Sequence, residues 1–114
     1  MKPQRIQLSR RKGWRMPPNT VKVTRPGIWG NPYVVGESGP AEECVERFRK
    51  MLAGNLWTPP TITTIQEQLR GKNLACWCKI GAPCHGDVLL RVANSSFSEA
   101  RNFIRGEFKR EEGR

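Results

Sequence analysis

The sequence predicts an α/β domain in which helices pack on a small sheet whose central, parallel strand runs from Leu74 to Cys78. Three observations predict this class. Short apolar segments with strand character lie around residues 6–8, 21–23 and 74–78. Segments with helical periodicity lie between and after them, and turns rich in Gly and Pro separate the predicted strands from the predicted helices. Because 114 residues support one core and little more, we expect a single domain over residues 1–114.

Two irregular segments follow the first two predicted strands. Residues 10–20 are basic and contain a Pro-Pro break, and residues 24–33 contain two glycines and two prolines. We expect both segments to be loops, because these residues favour turns. The second loop also holds Arg25, Trp29 and Asn31 in close succession, which is typical of loops that build binding sites. The alternative is a long connector in which Trp29 covers the core.

Helical periodicity predicts the elements that pack on the sheet. Apolar side chains recur at three- and four-residue spacing over residues 40–52, and Cys44 lies within that apolar stripe. This position favours a buried, hydrophobic role for Cys44 over a ligand role. A second helix is predicted at residues 62–69, and a C-terminal helix at residues 97–110 begins with a capping-box motif at Ser96.

The chain is strongly basic, with a formal net charge of +10 and a pI near 10.2. Residues 1–36 contain no acidic residue and the following basic ones: Lys2, Arg5, Arg10, Arg11, Lys12, Arg15, Lys22 and Arg25. Such a charge attracts polyanions from beyond contact distance. We therefore expect nucleic acid or a phosphorylated nucleotide as the partner. A basic domain without such a partner is the alternative.

The sequence also indicates a compartment. It has no apolar stretch long enough to span a membrane and no apolar segment behind its basic start, so we expect a cytoplasmic protein without a membrane partner. In a reducing compartment, the four cysteines are expected to bind metal or to act as thiols rather than to form disulfides. The sequence leaves the oligomeric state open.

Residues 73–90 concentrate the chemistry, since they hold three of the four cysteines, the single histidine and the single aspartate. The segment is predicted as strand, loop and helix, with the helix beginning at Cys84 or His85. Cys76 and Cys78, two apart on a strand, project to the same face, and the loop can return Cys84 and His85 to them. Three thiolates and an imidazole suit tetrahedral zinc, so we predict zinc at these four residues. The C-x-C…C-H spacing differs, however, from the paired C-x-x-C of common zinc modules.

The same segment has an enzymatic interpretation. Cys84 at a helix N-terminus would be a nucleophile, because the helix dipole lowers a thiol pKa, and His85 and Asp87 would be general acid and base. The pattern of zinc deaminases is incomplete, because no second cysteine follows Cys84 three residues later. In the structural alternative the cysteines are simply buried. Trp77 is predicted to lie in the core, on the strand face opposite the cysteines.

Phosphate binding is a further interpretation. Free N–H groups at the helix start, including that of Gly86, would receive an anion that Arg15 or Arg25 also contacts. Asn31 would then contact a base or sugar, and Trp14 or Trp29 would stack on a base.

Two motifs carry a resemblance to a known family. Arg25-Pro26 followed by Trp29-Gly30-Asn31-Pro32, together with Cys76-x-Cys78 and Cys84-His85-Gly86-Asp87-Val88-Leu89, resemble a family of small domains of unknown function found in phages, prophages and bacteria. The resemblance covers about residues 6–92 and leaves the C-terminal helix outside. It implies shared motif positions and a phage-encoded protein expressed in a host cytoplasm, and it implies no activity.

We therefore expect a small basic domain that binds a nucleotide or nucleic acid through the strand-loop-helix pocket and is stabilised by zinc. An enzyme acting on a nucleotide or nucleobase and a phage-type inhibitor of a host protein are the alternatives. The expectation requires that the thiols, Cys84-His85 and the Arg25 guanidinium converge on one cavity.

Overall fold

A computed structural model describes residues 2–54 and 60–106 of the chain. Three short strands, β1 (Arg5–Gln7), β2 (Thr20–Lys22) and β3 (Asn73–Cys76), form a sheet in the order β1-β3-β2. Both outer strands run parallel to β3, with Ile6 opposite Ala75 and Val21 opposite Leu74. The predicted α/β class, with a central parallel strand that contains Leu74, is confirmed.

Helices cover the sheet: α1 (Ala41–Gly54), α2 (Ile62–Leu69), α3 (His85–Ala93) and α4 (Phe97–Ile104). Cys44, Phe48 and Leu52, spaced four residues apart on α1, are buried, as the periodicity of that segment predicts. α3 packs against the other helices and against β1 and β3, so the core fixes its first residues in place. Among the described residues, no helix is both long enough and apolar enough to cross a membrane.

The predicted ends of the central strand and of the C-terminal helix differ from the structure. β3 ends at Cys76 rather than at Cys78, and the chain then turns, so the prediction that Trp77 lies in the core is wrong: its side chain is 46% exposed. The ladder stops because Gln7 opposite Cys76 is the last pair of β1 and β3. The C-terminal helix ends at Ile104, and Gly106 beyond it has φ +75°, which is typical of a helix terminus. The rest of that prediction, residues 107–110, lies outside the described residues.

The parallel strands place their loops together. Residues 8–19 follow β1, residues 23–40 follow β2 and residues 77–84 follow β3, so all three loops leave from the end of the sheet that we call the carboxyl edge. Ligands of open parallel sheets bind at this edge. The loops that carry the predicted site residues therefore meet at one end of the molecule.

Candidate metal centre and adjoining cavity

A cavity of about 320 Å³ lies at the carboxyl edge. The loop after β2, the first turns of α1, the end of β3 and the start of α3 build its wall. Six predicted site residues line it: Arg25, Asn31, Cys76, Cys78, Cys84 and His85. The structure therefore brings the two sequence motifs together around one space.

Three cysteines of this wall form a group that we call the thiol triad. The Sγ atoms of Cys76, Cys78 and Cys84 all lie within 4.8 Å of one another, and that of Cys76 is 3.0 Å from that of Cys84. β3 supplies Cys76 at its end, the turn that follows carries Cys78, and Cys84 is the N-cap residue of α3. Three soft thiolates at this separation could hold one metal ion. Cys44 lies apart from the triad, and its thiol donates to the Gly39 carbonyl oxygen.

Arg5, on β1, connects the triad to its surroundings. Its side chain is only 6% exposed. The guanidinium donates five hydrogen bonds, to Cys76 Sγ (3.3 Å), Asp87 Oδ1 (3.1 Å) and the carbonyl oxygens of Cys78 (3.2 Å), Lys79 (2.8 Å) and Ala82 (3.2 Å). Arg5 therefore ties the turn after β3 and the start of α3 to the sheet, and it places a positive charge beside the thiols.

The triad is electrostatically asymmetric. A hydrogen bond with the Cys84 thiol and another from Arg5 lower the pKa of Cys76 to about 5, although burial acts in the opposite direction. The hydrogen bond to Cys76, followed by burial, raises the pKa of Cys84. Burial also raises the pKa of Cys78. At neutral pH the triad thus contains one thiolate, at Cys76, that Arg5 and Cys84 stabilise.

His85 is buried at the first position of α3. Its Nε2 lies 2.7 Å from the carbonyl oxygen of Val23, and because a carbonyl only accepts, Nε2 carries the proton. Its Nδ1 is 3.9 Å from Cys84 Sγ, and the ring packs edge-on against Phe48. Burial lowers the pKa of His85, so the ring is neutral. Of the four predicted zinc ligands, the three thiols therefore lie close together, whereas the His85 ring is hydrogen-bonded to the Val23 carbonyl.

The loop after β2 forms the opposite wall of the cavity. Arg25 Nη1 donates to the Asn31 carbonyl at 2.7 Å, while the Asn31 side chain donates to the Cys44 carbonyl at 3.1 Å and accepts from the Tyr33 N–H at 2.9 Å. The amide of Asn31 therefore positions the loop on α1. A Cβ on Gly30 would lie 2.7 Å from the Arg25 nitrogen, so only glycine permits this close approach.

The start of α3 uses its polar groups internally. The Gly86 N–H donates to Cys84 Sγ at 3.4 Å, and a Cβ on Gly86 would lie 3.2 Å from Arg5 Cδ. Asp87 is exposed and accepts from Arg5. The absence of a side chain at Gly86 therefore leaves room for Arg5, and the Gly86 N–H is used by the Cys84 thiol.

Two further predicted residues lie away from the cavity wall. Trp29 is 8% exposed and belongs to the hydrophobic core, and Arg15 is exposed on the loop after β1. Sequence reasoning missed Arg5 and the exposure of Trp77, which lines the cavity. An arginine in a predicted strand beside a cysteine-rich strand was the available signal for Arg5.

Comparisons with known proteins agree with the resemblance drawn from the motifs. No curated protein and no solved structure matches the chain. The model of the family described as domain of unknown function DUF4326 matches residues 6–95, which include β2, β3, α1–α3, all of β1 except its first residue, Arg5, and every residue of the thiol triad. The chain therefore belongs to the DUF4326 family of domains of unknown function.

Proposed function

We propose that this protein is a nucleotide- or nucleic-acid-binding domain that holds a zinc ion on the thiol triad, in the wall of the cavity that receives the nucleotide. One observation carries the proposal: the triad, Arg25 and Asn31 line the same cavity at the carboxyl edge of a parallel sheet. In parallel sheets this is the ordinary position of a ligand site.

The composition of the triad supports zinc. Thiolates are soft ligands that suit Zn²⁺ in tetrahedral coordination, and three protein ligands leave one position open. Three thiolates and one Zn²⁺ have a net charge of −1. The buried guanidinium of Arg5, whose Nη1 lies 3.3 Å from Cys76 Sγ, offsets this charge. The fourth ligand would be a water, the ligand in the cavity or His85 after its ring moves away from Val23.

The size and charge of the cavity support a nucleotide. Its volume of about 320 Å³ lies at the lower end of the range typical of small-molecule sites, about 300–1,000 Å³. Arg25 lines it, is exposed and can contact a phosphate. None of the residues that line it in the described part of the chain is an aspartate or a glutamate. An anion in the cavity therefore meets a cation and no competing carboxylate.

Metal analysis tests the zinc site. We expect one zinc per chain by elemental mass spectrometry, and a zinc affinity that falls by at least about tenfold to a hundredfold in Cys76→Ser, Cys78→Ser and Cys84→Ser, measured by competition with a chromophoric chelator. Cys44→Ser is the matched control, because Cys44 is also buried but lies outside the triad. Equal zinc affinity in all four variants and the parent protein would contradict the assignment.

Calorimetry tests the nucleotide site. Adenosine, guanosine, cytidine and uridine monophosphates would be titrated into zinc-loaded protein, and we expect saturable binding of at least one. Arg25→Gln should weaken this binding, whereas Arg47→Gln removes an exposed charge from α1 and should not. Affinity should also fall as salt rises, because phosphate contacts dominate. Binding that ignores both Arg25 and salt would contradict the proposal.

The low pKa of Cys76 favours one second candidate, an enzyme that uses this thiolate as a nucleophile on a nucleotide. Cys76, rather than Cys84, would then be the attacking group. Alkylation with iodoacetamide at pH 7, followed by peptide mapping, separates the two. If the protein is purified without zinc and iodoacetamide modifies Cys76 selectively, the enzyme is supported. If the protein is purified with one zinc that protects all three thiols, the metal centre is supported.

A further inference from the structure

We infer that the carboxyl edge outside the cavity binds single-stranded nucleic acid, so that the nucleotide in the cavity belongs to a strand rather than being free. The inference rests on the proposed function for its starting point, the cavity. It adds a surface formed by the loop after β1 and by the loop after β3. We call this surface the strand platform, and its residues are Arg10, Arg11, Lys12, Trp77 and Lys79.

The centre of the strand platform is a stacked pair. The guanidinium carbon of Arg10 lies 4.3 Å from the ring centroid of Trp77. Trp77 is 46% exposed and at the same time lines the cavity, so this residue borders both the cavity and the surface. Indole rings and guanidinium planes both stack on nucleobases, and such stacking accepts any base. The pair is therefore placed to receive a base next to the one in the cavity.

Charge surrounds this pair. Arg11 and Lys12 follow Arg10 directly and are exposed, as is Lys79 after Trp77. No acidic residue occurs before Glu37, and the exposed Asp87 near the triad is bonded to Arg5. The strand platform therefore presents cations to a phosphate backbone, while the Asp87 carboxylate is paired with Arg5.

The geometry favours an unpaired strand over a duplex. A base can stack on Trp77 or enter the cavity only when it is free of a partner, since a duplex keeps its bases paired and stacked inside. A basic surface alone would bind the duplex at least as well, because the duplex has the higher charge density. A preference for the single strand would therefore indicate that the Arg10–Trp77 pair and the cavity take part in binding.

Fluorescence anisotropy with zinc-loaded full-length protein tests the inference. The probes are a labelled 12-nucleotide DNA strand of mixed sequence, its RNA counterpart, its blunt duplex and a labelled nucleoside monophosphate. Arg10→Gln/Arg11→Gln removes two charges from the strand platform without touching the cavity wall, and Arg47→Gln/Lys50→Gln removes two exposed charges from α1 as the matched control. Trp77→Leu removes the stacking ring.

We expect the single strand to bind more tightly than its duplex and than the monophosphate. Arg10→Gln/Arg11→Gln should weaken strand binding and lower the slope of log affinity against log salt by roughly 1.4, about 0.7 for each lost phosphate contact, with no effect on the monophosphate. Trp77→Leu should weaken strand binding by about tenfold. The control pair should change strand affinity much less.

Other outcomes separate the two proposals. A monophosphate that binds as tightly as the strand, with Arg10 and Arg11 irrelevant to both, overturns the strand platform and leaves the cavity site standing. A duplex that binds as well as the single strand overturns the single-strand preference. Absence of binding for strand and monophosphate alike overturns the proposed function and this inference with it.

Discussion

Arg5 is a buried cation whose charge is compensated by neighbours of several kinds. A carboxylate, a thiol and three carbonyl oxygens receive its hydrogen bonds. The Asp87 side chain is more than half exposed, so that ion pair by itself contributes little. The hydrogen bonds to the Cys76 thiolate and to the carbonyl oxygens of Cys78 and Ala82 are partly buried, and they make burial of the guanidinium tolerable.

Replacing Arg5 should be costly even when the charge is kept. In Arg5→Lys a single ammonium group cannot reach five acceptors, so we expect the free energy of unfolding of the metal-free protein to fall by about 2–4 kcal/mol. Urea titration followed by circular dichroism measures it. Arg47→Lys on the exposed face of α1 should change stability by less than about 0.5 kcal/mol. Equal, small effects in both variants would show that Arg5 does not organise the end of β3.

Cys76 should make the stability of the metal-free protein depend on pH. The folded state lowers the pKa of this thiol to about 5, whereas an ordinary cysteine titrates near 8.5, so the unfolded state binds the proton more tightly. The contribution is fully present above the unfolded pKa and is lost as pH falls toward 5. Stability should therefore rise with pH from about 6.5 to 7.5, by up to about 1.4 kcal/mol per pH unit from this group. Nearer pH 8.5 the rise is opposed, because the unfolded thiols of Cys78 and Cys84 ionise there while the fold keeps them protonated.

The comparison of variants isolates Cys76. Burial lowers the pKa of His85 below its ordinary value of about 6.5, so His85 also contributes to the rise, but it is present in the parent and in both cysteine variants. Urea titrations with chelator and reductant would compare Cys76→Ser and Cys44→Ser with the parent. We expect Cys76→Ser alone to flatten the rise. An unchanged slope in Cys76→Ser would contradict a thiolate at this position.

At the scale of elements, the loop after β2 is held to the cavity by close approach rather than by regular structure. Gly30 lies against the backbone of Arg25, and Asn31 fastens the loop to the end of the first turn of α1 through the Cys44 carbonyl. A side chain at residue 30 cannot be accommodated by a flexible neighbour, because the nearest atoms are backbone atoms.

Gly30→Ala should therefore disturb the cavity wall. The added Cβ would lie 2.7 Å from the Arg25 nitrogen, and the backbone shift it forces should destabilise the fold by about 1–3 kcal/mol and weaken nucleotide binding. Gly54→Ala is the matched control, since a Cβ at the end of α1 meets nothing within 4 Å. Urea titration and calorimetry with the best-bound monophosphate measure the two effects. Equal behaviour of both variants would mean that the loop is free to move.

The sequence predicted the helices, because helical periodicity is local, and it predicted the central, parallel strand, because a continuous apolar run is typical of a buried strand. It placed Cys76, Cys78 and Cys84 together for the same reason, since a short turn separates them. It could not place Arg5, whose partners are mostly backbone carbonyls more than seventy residues away, which leave no pattern in the side chains. It misplaced Trp77 because apolar composition continues past the last strand pair, and only the short neighbouring strand β1 ends the ladder.

For the whole molecule, the proposed zinc would add a cross-link between the end of β3 and α3 to the packing contacts that these elements already make. Two strands of three residues flank β3, and the thiol triad connects the end of β3, the following turn and α3. A metal bound there stabilises the folded state in proportion to its affinity, because the unfolded chain has no preformed site.

Removal of zinc should lower the stability of the whole domain. At free zinc a hundredfold above the dissociation constant, the gain in unfolding free energy should be about 2.7 kcal/mol. Thermal melts of the parent and of Cys84→Ser, each with zinc or with chelator, measure it. We expect a metal-dependent shift in the parent and a clearly smaller one in Cys84→Ser, while Cys44→Ser should behave as the parent. A shift of equal size in Cys84→Ser would place the metal elsewhere.

The central claim is that Cys76, Cys78 and Cys84 hold one metal ion in the wall of the nucleotide cavity, and X-ray absorption at the zinc edge tests it most directly. The zinc-loaded protein should show three sulfur neighbours at about 2.3 Å and one nitrogen or oxygen neighbour at about 2.0–2.2 Å. The light-atom shell should change when a bound nucleoside monophosphate is added. Four sulfur neighbours, or a shell without sulfur, would contradict the claim.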